Sequence, residues 1–394
     1  MRANTISDKN NIDIKEMSKV LPTEGKSNIT ISDKITSEVN KQLTIATFNL
    51  FNYLEPPNAY YEFERIYSAE QWHKKQKWIT EYLREYQPDI IGFQEVFSPD
   101  SLQELVAGQG YEYFSVVDQP QIIDEFIYKK PVVAIASRYP IVETVAVTPD
   151  IELAQTLGLN KDFSFSRKVL RATIDVPHIG HCDCYVVHFK SKRSMIELDE
   201  KANNLSPEKT IIESLKANVA GGWGSTIQRG SEATLLMIDM IERREATDNP
   251  MVLMGDFNNT LADGVLNHLL TNTLRFVSAI DRDAYLAKYC LQDSWDLFEA
   301  ASNNQGTAES DLNTSNSIDS KIKKTRTPTH YFGDSNSVLD YILLSCEFDA
   351  SYHDSLYEVS DYHTYDRHLI NPIFDRDGES TDHGIVLVSL TLRS

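Results

Sequence analysis

From Leu43 onward, apolar residues recur in short runs that are rich in Val and Ile and often bounded by turn residues. The runs are Leu43–Leu50, Ile90–Phe93, Val132–Ala136, Ile141–Val147, Val169–Val176, Tyr185–Phe189, Met251–Met254, Val338–Leu344 and Ile385–Leu390. This length and composition predict β-strands. In Ser68–Tyr86, Trp72, Ile79, Leu83 and Tyr86 fall on one helical face, with Ser68 placed to cap the helix and Pro88 marking its end. Lys74, Lys75 and Lys77 read as its solvated face. Leu236, Met240 and Arg243/Arg244 predict a second helix over about Glu232–Arg244, whose terminal bases favour the helix dipole. Strands followed by helices, and strands followed by strands, imply a mixed α/β body. The strands are too numerous for one comfortable sheet, so two packed sheets are expected.

Residues 1–42 are polar and lack sustained periodicity, which predicts a flexible tail ahead of one body, 43–394. Three stretches read as long loops. Ser194–Gly230 contains Gly221-Gly222-Trp223-Gly224, Ala301–Thr327 is rich in Ser, Asn, Asp and Lys, and Tyr352–Glu379 carries His353, His363 and His368. Those histidines read as polar surface, and Trp223 as a buried anchor. No run approaches the ~20 apolar residues of a membrane span, so no stable membrane insertion is expected. Met1–Val20 has no apolar core of a signal peptide, so a cytoplasmic address is expected. Cys182, Cys184, Cys290 and Cys346 are too scattered for a disulfide framework, and Cys182-Asp183-Cys184 lacks zinc-type spacing.

The chain has 41% hydrophobic and 24% charged residues, which excludes collagen and wholesale disorder. Acids outnumber bases 58 to 38, a formal charge of −20. A passive nucleic-acid binder works through a basic face, so this balance argues against one. It does not exclude an enzyme that meets phosphate through a bound cation held by its acids.

The candidate chemistry sits at strand ends. Asn49 closes the first run, Gln94-Glu95 the second, and His188 ends another. Gly255-Asp256-Phe257-Asn258 follows Met254, Asp340 begins a run, and Asp382-His383 precede the last. Each alone reads as an ordinary turn or solvated residue. As a set, carboxylates and amides are hard oxygen donors for Mg²⁺ or Mn²⁺, and histidines beside acids suit proton transfer and charge stabilisation.

In this order, the stretches Ala46-Thr47-Phe48-Asn49, Gly92-Phe93-Gln94-Glu95-Val96, Val187-His188-Phe189-Lys190-Ser191, Leu253-Met254-Gly255-Asp256-Phe257-Asn258, Leu339-Asp340-Tyr341-Ile342 and Ser380-Thr381-Asp382-His383 resemble the endonuclease/exonuclease/phosphatase superfamily. Gln94-Glu95-Val96, Phe165-Ser166-Arg167 and Thr327-Pro328-Thr329-His330 resemble its DNase I branch most. The resemblance implies a four-layer α/β sandwich, with two packed mixed β-sheets flanked by helices. It implies Glu95 as principal metal ligand, with Asn49, Asp256 and Asp382 completing the metal set. Asp256 and Asn258 would orient or deprotonate the attacking water and hold the scissile phosphate, which Asn49 also approaches. His383 would be oriented by Asp340. His188 would face the phosphate, and Arg167 would contact it, with Arg171 as a rival.

Two features depart from that branch. The branch supplies an acid to the first histidine from the preceding strand, whereas Lys129-Lys130-Pro131-Val132-Val133-Ala134 has none, leaving the partner of His188 open. The run Val187–Arg193 resembles a broad bacterial-type subgroup rather than a defined nuclease. The expected activity is divalent-metal-dependent phosphoester hydrolysis, foremost a phosphodiesterase or nuclease acting on nucleic acid. The alternatives are the same chemistry on a lipid or small phosphoester (a sphingomyelinase-like phosphodiesterase, or an inositol or nucleotide phosphatase) and a non-catalytic binding protein on the same fold.

Overall fold

The computed structural model describes residues 41–196, 206–270, 285–308 and 325–393. Apart from its last two residues, the expected tail 1–42 lies outside them, as does much of the expected loop Ala301–Thr327.

In chain order the strands are β1 (Gln42–Tyr53), β2 (Ala59–Tyr60), β3 (Ile90–Val96), β4 (Tyr113–Val116), β5 (Gln121–Ile123), β6 (Ile127–Lys129), β7 (Val132–Ser137), β8 (Ile141–Val147), β9 (Val169–Val176), β10 (Gly180–His188), β11 (Met251–Asp256), β12 (Gln292–Asp293), β13 (His330–Phe332), β14 (Ser335–Ser337), β15 (Asp340–Leu344), β16 (Tyr357–Tyr365) and β17 (Ile385–Leu392). The helices are α1 (Ala69–Tyr86), α2 (Pro99–Ala107), α3 (Ile151–Thr156), α4 (Pro207–Thr247), α5 (Ser294–Ala308), α6 (Arg367–Ile370) and α7 (Phe374–Asp377). Two six-stranded mixed sheets form, ordered β16-β17-β1-β3-β7-β4 and β12-β15-β11-β10-β9-β8.

Side chains alternate across each strand, so one parity of each strand fills the space between the sheets and the other faces the helices. Ile45 of β1, Ile90 of β3, Val186 of β10, Met254 of β11, Ile342 of β15 and Val388 of β17 belong to the inter-sheet core. The opposite parity of the first sheet, including Phe48, Ile91 and Phe93, packs on Trp78 and Leu83 of α1 and Leu102 of α2. That of the second sheet, including Tyr185, Leu253 and Leu343, packs on Leu236 and Met240 of α4. Helix, sheet, sheet and helix give the four layers. Met254 lies so close to β3 that a Cβ on Gly92 would come within 2.8 Å of its sulfur.

The helix expected from Ser68 forms with a capping box: Gln71 N donates to Ser68 Oγ at 3.2 Å, and Ser68 N to Gln71 Oε1 at 2.9 Å. Lys74 and Lys77 are solvated as expected, but Lys75 is not. It is only 1% exposed, its Nζ donates to Ser380 O at 2.9 Å, and it lies over the Phe51 and Tyr67 rings.

The loop expected over Ser194–Gly230 is helical from Pro207 on, continuous with the helix predicted at Glu232. Glycines weaken a helix by about 1 kcal/mol each, which is why the sequence reads as a loop there. Gly221 has a packing reason instead: a Cβ would meet Ser194 Oγ at 1.8 Å, so only glycine lets the helix pass the 194–196 turn. Trp223 is no buried anchor; it is 65% exposed.

Ala301–Ala308 continue α5 rather than opening a loop. Tyr352–Glu379 likewise contains β16, α6 and α7. A register shift between Val359 and Asp361 breaks the alternation by which β16 would have been recognised.

Candidate active site

Strand parity assembles the centre of the site. Cys184 and Val186 point into the inter-sheet space, and so does the next residue of that parity, His188, at the end of β10. The same count takes Val252 and Met254 to Asp256 on β11, and Leu344 and Ile342 back to Asp340 on β15. These strands are neighbours, with His188 opposite Asp256 and Asp256 opposite Asp340. Three polar side chains therefore stand in one row where the core ends. Gly255 makes the close strand approach possible: its φ is +146°, and a Cβ would lie 2.0 Å from Val187 O.

Asp256 is the hub. Its Oδ1 accepts from Asn258 N at 2.8 Å, and its Oδ2 accepts from Asn258 Nδ2 and Asn49 Nδ2, each at 3.2 Å. His188 Nε2 stands 3.4 Å and His383 Nε2 4.0 Å from the same oxygen. Burial pushes the carboxyl up to about 7. The positive charge of His383 opposes that rise, and the negative charge of Asp340 adds to it.

His383 Nδ1 pairs with Asp340 Oδ2 at 2.8 Å. Burial works against the charge on this imidazole, but Asp340 and Asp256 outweigh it, so its pKa lies well above the ordinary histidine value. Its backbone carbonyl accepts from His368 Nε2 at 2.9 Å, and His368 packs edge-on against Trp78. The buried His368 is thus a support for the His383 turn rather than polar surface. His363 stacks on Tyr86, and His353 pairs with Asp354 at the surface.

His188 behaves oppositely. Burial, reinforced by the positive charges of Arg167, His383 and Lys190, holds its pKa well below the ordinary value. Its Nδ1 has no hydrogen-bond partner among the described residues. Among the described residues, no acid bonded to Nδ1 takes the place of the one missing from β7. Two histidines in one cavity therefore have opposite protonation tendencies, because only His383 has a second carboxylate bonded to it.

Glu95 does not follow strand parity. Its φ is +61°, and the β3 register shifts between Phe93 and Val96, so a bulge turns its side chain away from the helix layer and into the cavity. Asn52 N donates to its Oε2 at 3.0 Å. Burial and the neighbouring Asp382 push its carboxyl above the usual range. Asp382 is exposed at the mouth of the same cavity.

That cavity measures about 1110 Å³, and Glu95, Arg167, His188, Asp256, Asn258, Asp382 and His383 all line it. Asn49 and Asp340 lie beneath, bonded to Asp256 and His383. Arg171 pairs with Glu143 at 2.7 Å and is not among the lining residues, so of the two rival arginines Arg167 is the one at the site.

The ligand atoms of Asp256, Asp340 and His383 lie within 4.8 Å of one another, the spacing of a metal cage. The Asp340–His383 hydrogen bond already occupies the facing atoms, so this trio is a hydrogen-bonded pair with Asp256 4.0 Å from the imidazole's other nitrogen. Glu95 and Asp382 leave their oxygens freer toward the cavity.

Other residues of the site went unrecognised in the sequence. His330 faces His383 with ring centroids 5.3 Å apart, and the two residues form an isolated antiparallel bridge. Its signal was the Thr327–His330 run ahead of Asp340. Glu232 of α4 accepts Ser166 N at 2.6 Å on one oxygen and Lys190 N at 2.7 Å on the other. Arg229, one turn away, donates to Lys190 O at 2.8 Å. Glu232 reads only as a helix residue and Arg229 as part of the loop 194–230, because nothing local says which segments they reach. Arg65, Lys192 and Arg193 complete a basic rim with Arg167.

The sequence matches the profile described as the Endonuclease/Exonuclease/phosphatase family over residues 46–361. No curated protein matches it. Among solved structures, it is similar to the human Nocturnin catalytic domain with bound sulfate, at 15% identity and TM-score 0.49, over 89% of this chain and 95% of that one. It is similar to an endonuclease/exonuclease/phosphatase from Beutenbergia cavernae at 16% identity and TM-score 0.45, over 89% and 72% of the two chains. It is also similar to D. rerio TDP2 complexed with single-strand DNA product, at 13% identity and TM-score 0.45, over 89% and 99%.

Proposed function

The chain belongs to the endonuclease/exonuclease/phosphatase family, whose members hydrolyse phosphoesters, and from that premise we propose that it is a divalent-metal-dependent phosphodiesterase that cleaves nucleic acid. One observation carries the reading. A row of His188, Asp256 and Asp340, joined by His383, lies beneath a cavity rimmed by Arg65, Arg167, Lys192 and Arg193 in a chain of formal charge −20. Positive charge concentrated at one place on an acidic protein suits a polyanionic substrate.

Glu95 and Asp382, with Asn49 and Asp256 beside them, offer the hard oxygens that Mg²⁺ or Mn²⁺ prefers. Their fit is supported by the raised pKa of Glu95, partly due to Asp382: two close acids are relieved by a cation. When bound, such a cation neutralises phosphate charge and stabilises the leaving oxygen. Asp256, with its carboxyl near 7, accepts a proton from the attacking water at neutral pH. Asn258 holds that carboxylate through its backbone N–H and its amide. His383, kept charged by Asp340, stabilises negative charge growing on the phosphoryl oxygens. Arg167 and His188 line the same wall and add donors to the phosphate.

One observation favours lipid phosphodiesters as a second reading. Ile211, Leu215, Val219 and Trp223 recur every four residues along α4, each between 64% and 69% exposed, and Asn218 between them lines the cavity. An exposed apolar stripe beside the site suits a substrate presented at a lipid surface. No helix among the described residues is long and apolar enough to cross a membrane.

The test incubates purified protein with Mg²⁺ or Mn²⁺ against plasmid DNA, single-stranded RNA, bis-p-nitrophenyl phosphate and sphingomyelin, with Glu95→Ala in parallel. Cleavage of nucleic acid and of the synthetic diester, lost in the variant, is the expected result. Turnover of sphingomyelin alone transfers the reading to lipids, and undiminished turnover by Glu95→Ala removes the metal assignment.

A further inference from the structure

A second cavity of about 550 Å³ adjoins the first, and Tyr61 and Arg167 line both. Its volume falls within the roughly 300–1,000 Å³ of small-molecule sites. A group bonded to a phosphate held at Arg167 has this recess beside it.

The walls combine three chemistries, with aliphatic Pro131, Leu159 and Met195 and the carboxylate of Asp162 beside them. Phe163 and Phe165 supply aromatic surface, as an edge-to-face pair with centroids 6.4 Å apart. Asn160 and Ser164 supply uncharged hydrogen-bonding groups, and Lys130 and Lys190 supply positive charge. The loop that carries them is held in shape. Phe163 N donates to Asn160 O at 3.0 Å, Asp162 N to Asn160 Oδ1 at 3.2 Å, and Gln228 Nε2 of α4 to Ser164 O at 2.8 Å. The Phe163 ring, half-buried, is thus presented on a preformed turn, which lowers the ordering cost of binding.

A bare phosphate needs no aromatic wall, and an acyl chain gains nothing from amides and lysines. A flat ring with a polar edge, attached through a sugar to phosphate, uses all three chemistries. We propose that this recess is a nucleoside subsite, receiving the base and sugar attached to the scissile phosphate, with Phe163 as the stacking surface. The inference rests on the phosphodiesterase reading and narrows it. A base must leave its pair to enter, so single strands and frayed ends are preferred over closed duplex.

The test compares two esters that share a leaving group, thymidine 5′-(p-nitrophenyl phosphate) and methyl p-nitrophenyl phosphate, each with Mg²⁺. The wild-type protein is expected to favour the nucleoside ester in kcat/KM by about tenfold or more, from the stacking of one base. Phe163→Ala should bring that ratio down about tenfold through KM, and Phe163→Tyr, which keeps the ring, should restore it. A wild-type ratio near one, or a ratio unmoved by Phe163→Ala, overturns the subsite while leaving the hydrolase intact. Absence of turnover of either ester by wild-type protein overturns the phosphodiesterase reading, and the subsite with it.

Discussion

Asn49 and Asp256 join the two β-sheets across the floor of the site: Asn49 Nδ2, on β1, donates to Asp256 Oδ2, on β11, at 3.2 Å. The amide supports the ionised form of a carboxyl that burial has already raised to about 7. Asn49→Leu removes the donor, so the Asp256 pKa is expected to climb further. The rising limb of kcat against pH, set by ionised Asp256, should then move to higher pH. An unchanged pH–rate profile would separate Asp256 from proton transfer.

The Asp340–His383 pair gives a second pH signature. His383 has a folded-state pKa above its ordinary value of about 6.5, so it stabilises the fold most when protonated. That contribution is complete below the unfolded value and fades as pH rises through the raised one. Asp340→Asn should lower the His383 pKa, seen in its NMR ring resonances, and should remove the extra low-pH stability seen in denaturant titrations. Wild-type-like titration of His383 in that variant would count against the pairing.

Glu232 holds two loops at once, through Ser166 N and Lys190 N. Those loops flank Arg167 and His188, so the carboxylate sets the spacing of two phosphate-facing side chains without touching substrate. Glu232→Ala strands two backbone donors and should cost about 1–3 kcal/mol for each one left buried. Misplacement of about 1 Å at a site costs on the order of 10²-fold in rate, so kcat/KM should fall by about that much. Glu232→Gln, which still accepts one bond, should fall between. A variant that loses stability but keeps kcat/KM would make the residue purely structural.

Glu95 sits in the left-handed region, where a residue with a Cβ pays about 1–2 kcal/mol. Glu95→Gly relieves that strain and removes a half-buried carboxylate from beside Asp382, so thermal stability without metal should rise. Activity should drop by about two to three orders of magnitude. Calorimetry and diester turnover on the same samples test both halves. Falling stability together with retained activity would contradict the placement of this residue.

The sequence by itself determined the apolar runs that became β1, β3, β7 to β11, β15 and β17, and with them the alternation of their side chains. That parity turns His188, Asp256 and Asp340 inward, because alternation along a strand is a local property and these residues end apolar runs, while the pairing of β10, β11 and β15 sets them in one row. Residues 207–230 were illegible because glycine weakens a helix locally, while the packing of Gly221 on Ser194 is a distant contact. Tertiary structure alone turned Glu95 inward, since a bulge against two neighbouring strands overrides the parity that would face it toward the helices. It also buried Lys75 against Ser380, exposed Trp223, and brought Glu232 to two loops far away in sequence. Each of these depends on which surfaces meet when the layers close, and a periodic pattern within one segment carries no record of that meeting.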